Sequence, residues 1–369
     1  MILLEFEVKE ILEQYGIPTE AAVTVDSTSV GKLNELASHL RSPLVVKAQV
    51  RGWGRGKAGL VKFAETLEEA EKLARSMLGS PFGAERVRYV MVSEFVKPRR
   101  ELYLSMMLGG DPPGVLLLAS TAGGVSVEEK AAGSLLSLRL DPSVGLRSYA
   151  VRRVAKHLGV SEALLEPVLR GMFRALWDYS LTLLELNPLA ETEHGLVAID
   201  RKAIADEDSG NPKLESFISR YEEELGPLQR EARKWGFAAV QLEGDIAVVG
   251  NGAGLTMATL DAVADAGGRP GLFLDLGGGA AAERVKAALG LVLAQPQVSK
   301  ILVNIVGGIT RCDEVARGLV EAVRERKERD VKIVVRLSGF MEEEGRRILR
   351  EAGIVAYSSL EDAVREVVG

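Results

Sequence analysis

The sequence predicts an α/β chain in two parts, an α+β arrangement followed by a parallel-sheet α/β domain. From about residue 244 onward, short β-branched runs alternate with helix-length periodic segments, the signature of βα repeats. Before that point strand-like runs and helical segments are mixed without that alternation. The length, 369 residues, also exceeds the roughly 250 at which a single hydrophobic core stops growing. With 47% hydrophobic and 27% charged residues there is apolar material for two cores, and disorder is excluded. The highly charged stretch Lys213–Gly236 reads as a helical connector, which places the domains at 1–235 (connector about 213–235) and 236–369.

In the first part, Phe6–Tyr15 is an amphipathic helix ending at Gly16, and Ser29–Leu40 and Leu67–Leu78 are predicted as two more. Leu44–Val50 and Gly59–Phe63 are strands flanking a glycine-rich loop. Val87–Phe95, Glu101–Leu108 and Val115–Ser120 continue the antiparallel pattern. Helices follow at Arg147–Leu158 and Ser161–Tyr179, and Leu181–Leu186 pairs with Leu196–Asp200 about a turn at Glu193–Gly195. In the second part, strands are predicted at Ile246–Val249, Leu272–Asp275, Ile301–Ile305, Lys332–Arg336 and Ile354–Tyr357, separated by amphipathic helices. Glycine clusters stand at three of the strand exits: Asn251–Gly254, Gly277–Gly279 and Gly307–Gly308. In doubly wound sheets that is the ligand-binding edge.

The net charge of −6 carries no long block of either sign, which disfavours a nucleic-acid or membrane-surface binder. No apolar run approaches the ~20 residues needed to cross a bilayer. Only Ile2, Leu3 and Leu4 separate Met1 from Glu5, which is no signal-peptide pattern, so a cytoplasmic protein is expected. One cysteine, Cys312, excludes an internal disulfide, and with three scattered histidines it makes no zinc site of the usual kinds.

Chemistry concentrates in four places. Gly52–Gly59 lies between two strands, so it is neither a strand-to-helix phosphate loop nor a dinucleotide fingerprint. It reads equally as a basic hairpin without a ligand or as one closing over a polyphosphate, with Gly54 and Gly56 admitting backbone N–H groups, Arg55 and Lys57 supplying charge, and Lys47 beneath. Positive charge then gathers from Arg51 to Lys57. Glu94 and Glu101 bracket a turn that could clamp adenine and ribose, although taken alone it is a solvated loop. Glu185 and Asn187 project from one face of a buried strand, and Asn187 and Asp200 on paired strands offer two hard oxygens for Mg²⁺. The alternative is a structural Asn–Pro turn with Glu185 bridged to Lys202. Asn304–Asp313 runs from a strand into a helix whose N-terminus would present free N–H groups to an anion near Gly308, Ile309 and Thr310. Cys312 there is expected to be a packed small residue.

Taken together these residues resemble the β subunit of succinyl-CoA synthetase (succinate–CoA ligase). The resemblance covers nearly the whole chain. It includes Tyr15–Pro18, Val46–Val50, Gly54–Gly59, Glu101–Tyr103, Ala119–Thr121, Glu185–Leu189, Asn251–Leu255, Phe273–Gly279 and Asn304–Asp313. It implies an ATP-grasp domain followed by a flavodoxin-like CoA-ligase domain. Carried over by position, Lys47, Gly54, Arg55, Gly56, Glu94, Val96 and Glu101 match the nucleotide site, and Asn187 and Asp200 the Mg²⁺ ligands. Glu185 matches the carboxylate that orients a phosphorylated histidine, and Asn251, Gly308, Ile309 and Thr310 match the substrate and phosphohistidine site shared with an α subunit. Arg51 and Trp53 depart from the family's usual small or His-containing sequence before the loop, as do Ala122 and Ser338–Met341 at their positions.

The resemblance implies phosphorylation of a histidine on the α subunit by ATP or GTP. That phosphate then activates succinate for attack by CoA, a tricarboxylic acid cycle reaction run by an αβ or α2β2 heteromer in which CoA is bound mainly by α. Malate–CoA ligase and other NDP-forming acyl-CoA synthetases share the architecture. His39, His157 and His194 lack a glycine-rich cradle, consistent with the reactive histidine lying on the partner.

Overall fold

The strands of the first part sort into two antiparallel sheets, because the chain crosses from one to the other at Phe95–Arg99. The computed structural model describes residues 1–52, 59–82, 85–110, 113–124, 135–325 and 331–369. It divides into two units, Met1–Arg220 and Tyr221–Gly369.

In the first unit, β1 (Ala22–Val25), β2 (Leu44–Gln49) and β3 (Val61–Ala64) are followed by a small separate hairpin of β4 (Pro81–Phe82) and β5 (Glu85–Arg86). With β6 (Tyr89–Glu94) the four-stranded sheet runs β1-β6-β2-β3. Leu44, Val46 and Ala48 of β2 share a core with Ala70, Ala74 and Met77 of helix Leu67–Met77. By the two-residue period of a strand, Val45 and Lys47 face the opposite side. That helix starts where Thr66 accepts the Glu69 N–H at 3.2 Å.

The second sheet holds β7 (Arg100–Gly109), β8 (Gly114–Ser120), β9 (Leu135–Leu140), β10 (Leu181–Thr192) and β11 (Gly195–Ala198) in the order β11-β10-β7-β8-β9, while β12 (Arg201–Ala205) also pairs with β10. Helices Ser148–Leu158 and Glu162–Asp178 cover it, burying Val151, Leu158, Leu165 and Leu169 in one core with Leu104, Leu117 and Leu184. Ile11 and Leu12 of helix Glu5–Gln14 join the same core.

Three sequence expectations need correction. Ser29–Leu40 is not a helix but a 3-10 turn at Val30–Lys32 followed by Leu33–Leu36. The Asp26 carboxylate bonds the N–H groups of Thr28 and Ser29, fixing a turn there, and Gly31, Asn34 and Ser38 are weak helix formers. Val87–Phe95 and Glu101–Leu108 give strands in different sheets rather than one continuous pattern. Leu181–Leu186 pairs with Arg201–Ala205, whereas the turn at Glu193–Gly195 joins Leu189–Thr192 to Gly195–Ala198. Strand β9 was not foreseen.

The second unit carries β13 (Ala238–Gln241), β14 (Ile246–Gly250), β15 (Pro270–Asp275), β16 (Lys300–Gly307), β17 (Lys332–Gly339) and β18 (Ala356–Tyr357) in the order β13-β15-β14-β16-β17-β18. All neighbours are parallel except β13, an antiparallel edge the sequence did not reveal. Leaving that edge aside, the order is the 2-1-3-4-5 of a flavodoxin-like sheet. One core lies with helices Ala282–Leu293, Cys312–Glu325 and Glu342–Glu351, and a second, containing Val248, Leu302 and Val334, lies with Ala253–Asp265 and Leu360–Val368.

Gly318 lets helix Cys312–Glu325 approach its neighbour so closely that an added Cβ would sit 2.2 Å from the Ala282 carbonyl oxygen. Gly318→Ala is therefore expected to destabilise the second unit by about 2–3 kcal/mol, read as a lower urea midpoint. Gly290, in helix Ala282–Leu293, has nothing within 4 Å of its would-be Cβ. Gly290→Ala should stabilise by roughly 0.5–1 kcal/mol.

Candidate functional site

Strand β10 changes partners in mid-course. Its first half pairs with β12 and its second half with β11, and the change falls at Asn187–Pro188, where the peptide bond is cis. At the change the Asn187 N–H donates to the Asp200 carbonyl at 2.9 Å, so the two residues face one another across the gap between the ladders. Asn187 Oδ1 accepts from the Gly124 N–H at 2.7 Å, and Asp200 Oδ1 from the Arg201 N–H at 2.9 Å. Two hard oxygens with no sulfur or imidazole suit Mg²⁺. Among the described residues no group of three or more His, Cys, Asp or Glu is placed to hold a metal. A cation here would thus complete its shell with water and ligand oxygens.

The loop after β8 fits only as glycine. A Cβ at Gly123 would lie 2.5 Å from the Leu102 carbonyl oxygen, and Gly124 has φ +85°. The Gly123 N–H donates to the Glu101 carbonyl at 2.8 Å, and the Glu101 carboxylate lies against Gly124, which itself bonds Asn187. Glu101 and Asn187 are thereby brought together. Glu185, two residues before Asn187, stands opposite Ser105 on β7 and Lys202 on β12, and Tyr103 donates its hydroxyl to Glu185 Oε2 at 3.2 Å.

Lys47 is buried at 9% exposure, and its Nζ donates to Glu5 Oε1 at 2.7 Å and to the Ile199 carbonyl at 2.6 Å. The second bond ties β2 to the residue just before Asp200. Arg201, the residue just after it, reaches Glu20 and Glu5 through Nη2. Burial alone would lower its pKa, but Glu20 and Glu5 outweigh that and raise it. Glu94 turns elsewhere: its Oε1 accepts the Arg41 N–H at 2.8 Å, while Val96 lies half-buried in the segment linking the sheets. Gly54, Arg55 and Gly56, with Trp53 and Lys57, fall outside the described residues. Arg51, the first residue of the basic run, turns inward. It is buried, and its Nη1 donates to Glu7 Oε2 at 3.0 Å and to the Ile2 carbonyl at 2.7 Å.

In the second unit Asn251 Nδ2 donates to the Val306 carbonyl at 2.9 Å and to Thr310 Oγ1 at 3.2 Å, and its Oδ1 accepts the Val306 N–H at 3.0 Å. Thr310 Oγ1 also accepts the Gly279 N–H at 3.0 Å. The glycine-rich exits of β14, β15 and β16 are so joined into one rim, on which Thr310 is buried and Ile309 is 89% exposed. The N-terminus of the following helix is partly engaged within the chain. The Cys312 N–H donates to the Phe340 carbonyl at 3.0 Å, and the buried Asp313 carboxylate sits in the first turn, paired with Arg311 and Arg317.

Residues 2–191 match the family model of an ATP-grasp domain, and residues 249–368 that of a CoA-ligase. The succinate–CoA ligase [ADP-forming] subunit beta of Ignicoccus hospitalis is 44% identical over 100% of this chain and 98% of that protein. The chain belongs to the succinate–CoA ligase β-subunit family. The corresponding subunit of Pyrobaculum islandicum is 41% identical, over 100% of this chain and 99% of its own length. Among solved structures, ATP citrate lyase from Methanothrix soehngenii, in complex with citrate and coenzyme A, superposes with a TM-score of 0.78 at 21% identity, covering 99% of this chain and 98% of that one, a likeness of fold. The two-part α/β architecture expected from the sequence is that of this ligase family.

Sequence reasoning gave no role to Glu5, Glu20, Arg201, Gly123 and Gly124. The one available signal was the acidic pair Glu5 and Glu7 in the first turn of a helix that follows Ile2, Leu3 and Leu4. Cys312 is fully buried, and burial pushes its thiol above the ordinary value, with Glu342 and Asp313 adding to the rise. At neutral pH the folded protein should therefore react with Ellman's reagent on the order of 100-fold more slowly than the protein unfolded in guanidinium chloride. Comparable rates would mean an accessible thiolate.

Proposed function

We propose that this chain is the nucleotide- and Mg²⁺-binding β subunit of a succinate–CoA ligase. The reaction is the reversible conversion of succinate, CoA and a nucleoside triphosphate to succinyl-CoA, nucleoside diphosphate and phosphate, a step of the tricarboxylic acid cycle. The observation that carries the reading is the convergence of Lys47, Glu185, Asn187 and Asp200 around the partner change in β10, in a chain of this family. A nucleoside triphosphate presents its phosphates to Lys47, whose ammonium offsets their charge, as phosphoryl transfer requires. Asn187 and Asp200 would hold Mg²⁺, which supplies further charge neutralisation when bound. Arg55 and the backbone of Gly54 and Gly56 are proposed to close over the phosphates, and the segment from Glu94 through Val96 to Glu101 to hold the base and ribose.

The γ-phosphoryl group passes to an imidazole nitrogen and leaves the diphosphate behind. Glu185, held by Tyr103, is proposed to orient that imidazole. The phosphoryl group next passes to a succinate carboxylate, and the CoA thiol attacks the resulting acyl phosphate, releasing phosphate and forming the thioester. His194 sits in the β10–β11 turn, His157 in the last turn of its helix and His39 on an exposed surface turn, which supports a histidine supplied by an α subunit. Asn251 and Gly308–Thr310 are proposed to line the rim where that histidine meets succinate and CoA.

Co-expressed with its α partner, the chain should form ADP or GDP in a CoA- and succinate-dependent manner, with succinate preferred over malate in kcat/KM. Asn187→Ala should raise the Mg²⁺ concentration for half-maximal rate by about tenfold, and Lys47→Met should lower kcat/KM for nucleotide by about 100-fold. A reconstituted pair that binds no nucleotide in the presence of Mg²⁺, or wild-type Mg²⁺ dependence in Asn187→Ala, would contradict the assignment.

A further inference from the structure

Four ionised side chains lie buried together beside the candidate phosphate and metal positions. They are Lys47, Glu5, Glu20 and Arg201, with side-chain exposures of 11%, 1%, 2% and 0%. Glu5 Oε1 is shared: it accepts from Lys47 Nζ at 2.7 Å and from Arg201 Nη2 at 3.3 Å. The same Arg201 nitrogen donates to Glu20, and Nη1 donates to the Ala198 carbonyl at 2.9 Å. Such a cluster is poor value for stability, since buried ion pairs seldom recover their desolvation cost. It is also incompletely satisfied, because among the described residues Glu20 Oε2 and Arg201 Nε find no hydrogen-bond partner.

Its geometry has a use in the reaction. An ammonium has three N–H donors. Two of those on Lys47 go to Glu5 and the Ile199 carbonyl, and Glu20 Oε1, at 3.9 Å, is too distant to take the third. Lys47 therefore need not release its holders to bind a phosphate oxygen. Moreover, Ile199, which holds Lys47, and Arg201, which holds Glu5, flank Asp200, and Arg201 bonds the Asp200 carboxylate through its own N–H.

We propose that Glu5 is a positioning residue for nucleotide binding: backed by Arg201 and Glu20, it holds the Lys47 ammonium by one proton while the Ile199 carbonyl holds another, so that the third meets the phosphates in fixed register with Asp200. This rests on the nucleotide reading above. It assigns a function to the opening helix, which reaches Lys47 through this carboxylate.

The test is titration calorimetry of Mg·ADP against the full chain together with its α partner, using Glu5→Ala and Glu5→Gln, each in the wild-type and Lys47→Met backgrounds. With Lys47 present, Glu5→Ala should weaken Mg·ADP about tenfold, and Glu5→Gln, which keeps an acceptor oxygen, should recover part of that and still lose about threefold. With Lys47→Met, neither change at Glu5 should weaken binding further, and loss of a carboxylate near the phosphates should if anything tighten it. A merely structural role would cost the same factor in both backgrounds and would overturn the proposal, as would wild-type affinity in Glu5→Ala. If Glu5→Ala does not fold, Glu5→Gln carries the test alone: a loss with Lys47 and none without it supports positioning, and no loss with Lys47, or equal losses in both backgrounds, overturns it. Failure of the wild-type protein to bind Mg·ADP would instead strike at the nucleotide reading itself.

Discussion

The candidate site of the first unit depends on one local constraint, the change of partners along β10 at Asn187–Pro188. A strand that kept a single partner would bury its polar side chains in an unbroken ladder. Here the ladder to β12 ends and that to β11 begins, and the chain between them, Ile199–Asp200, passes opposite Asn187–Pro188. Backbone bonds hold that gap on both sides, Asn187 N–H to Asp200 O and Ile199 N–H to Pro188 O. The two candidate metal oxygens are thus positioned by main chain rather than by long, mobile side chains. That suits a site whose remaining ligands must come from water and substrate.

Electrostatic design follows from the same place. Lys47 comes from the other sheet, yet its ammonium is bound to the carbonyl of Ile199, so the gap in the β10 pairing also fixes the principal cation. Around it the unit buries charge in compensated groups. Glu7 is bound by Arg51 and Arg220 and also accepts the Leu4 N–H at the start of the first helix, while Glu5 and Glu20 share Arg201. A net charge of −6 is therefore compatible with polyanion handling, because Lys47 is placed singly and held.

What could be read from sequence divides by range. That Asn187 and Asp200 lie close together was legible, because a turn falls within the thirteen residues between them, although the pairing that joins them differs from the one expected. Arg51 was misread as a phosphate-loop cation, since its proximity in sequence to Arg55 and Lys57 says nothing of the buried Glu7 it serves. The Arg201–Glu5 bond joins residues 196 positions apart, and no spacing argument reaches across that distance. The helix expected over Ser29–Leu40 failed for a local reason, the turn fixed by Asp26, which competes with helical hydrogen bonds. In the second unit the parallel order and its glycine-rich exits were plain from periodicity. The antiparallel edge β13 was not, because four residues with only Ala239 buried carry too little pattern.

The most direct test of the central claim, that Asn187 and Asp200 mark the metal end of a nucleotide site anchored on Lys47, is an anomalous-diffraction map of the protein crystallised with Mn²⁺ and ADP. The expected result is a single manganese peak within coordination distance of Asn187 Oδ1 and the Asp200 carboxylate, with a phosphate oxygen on Lys47 Nζ. Manganese bound elsewhere, with Lys47 still engaged only by Glu5 and Ile199, would contradict it.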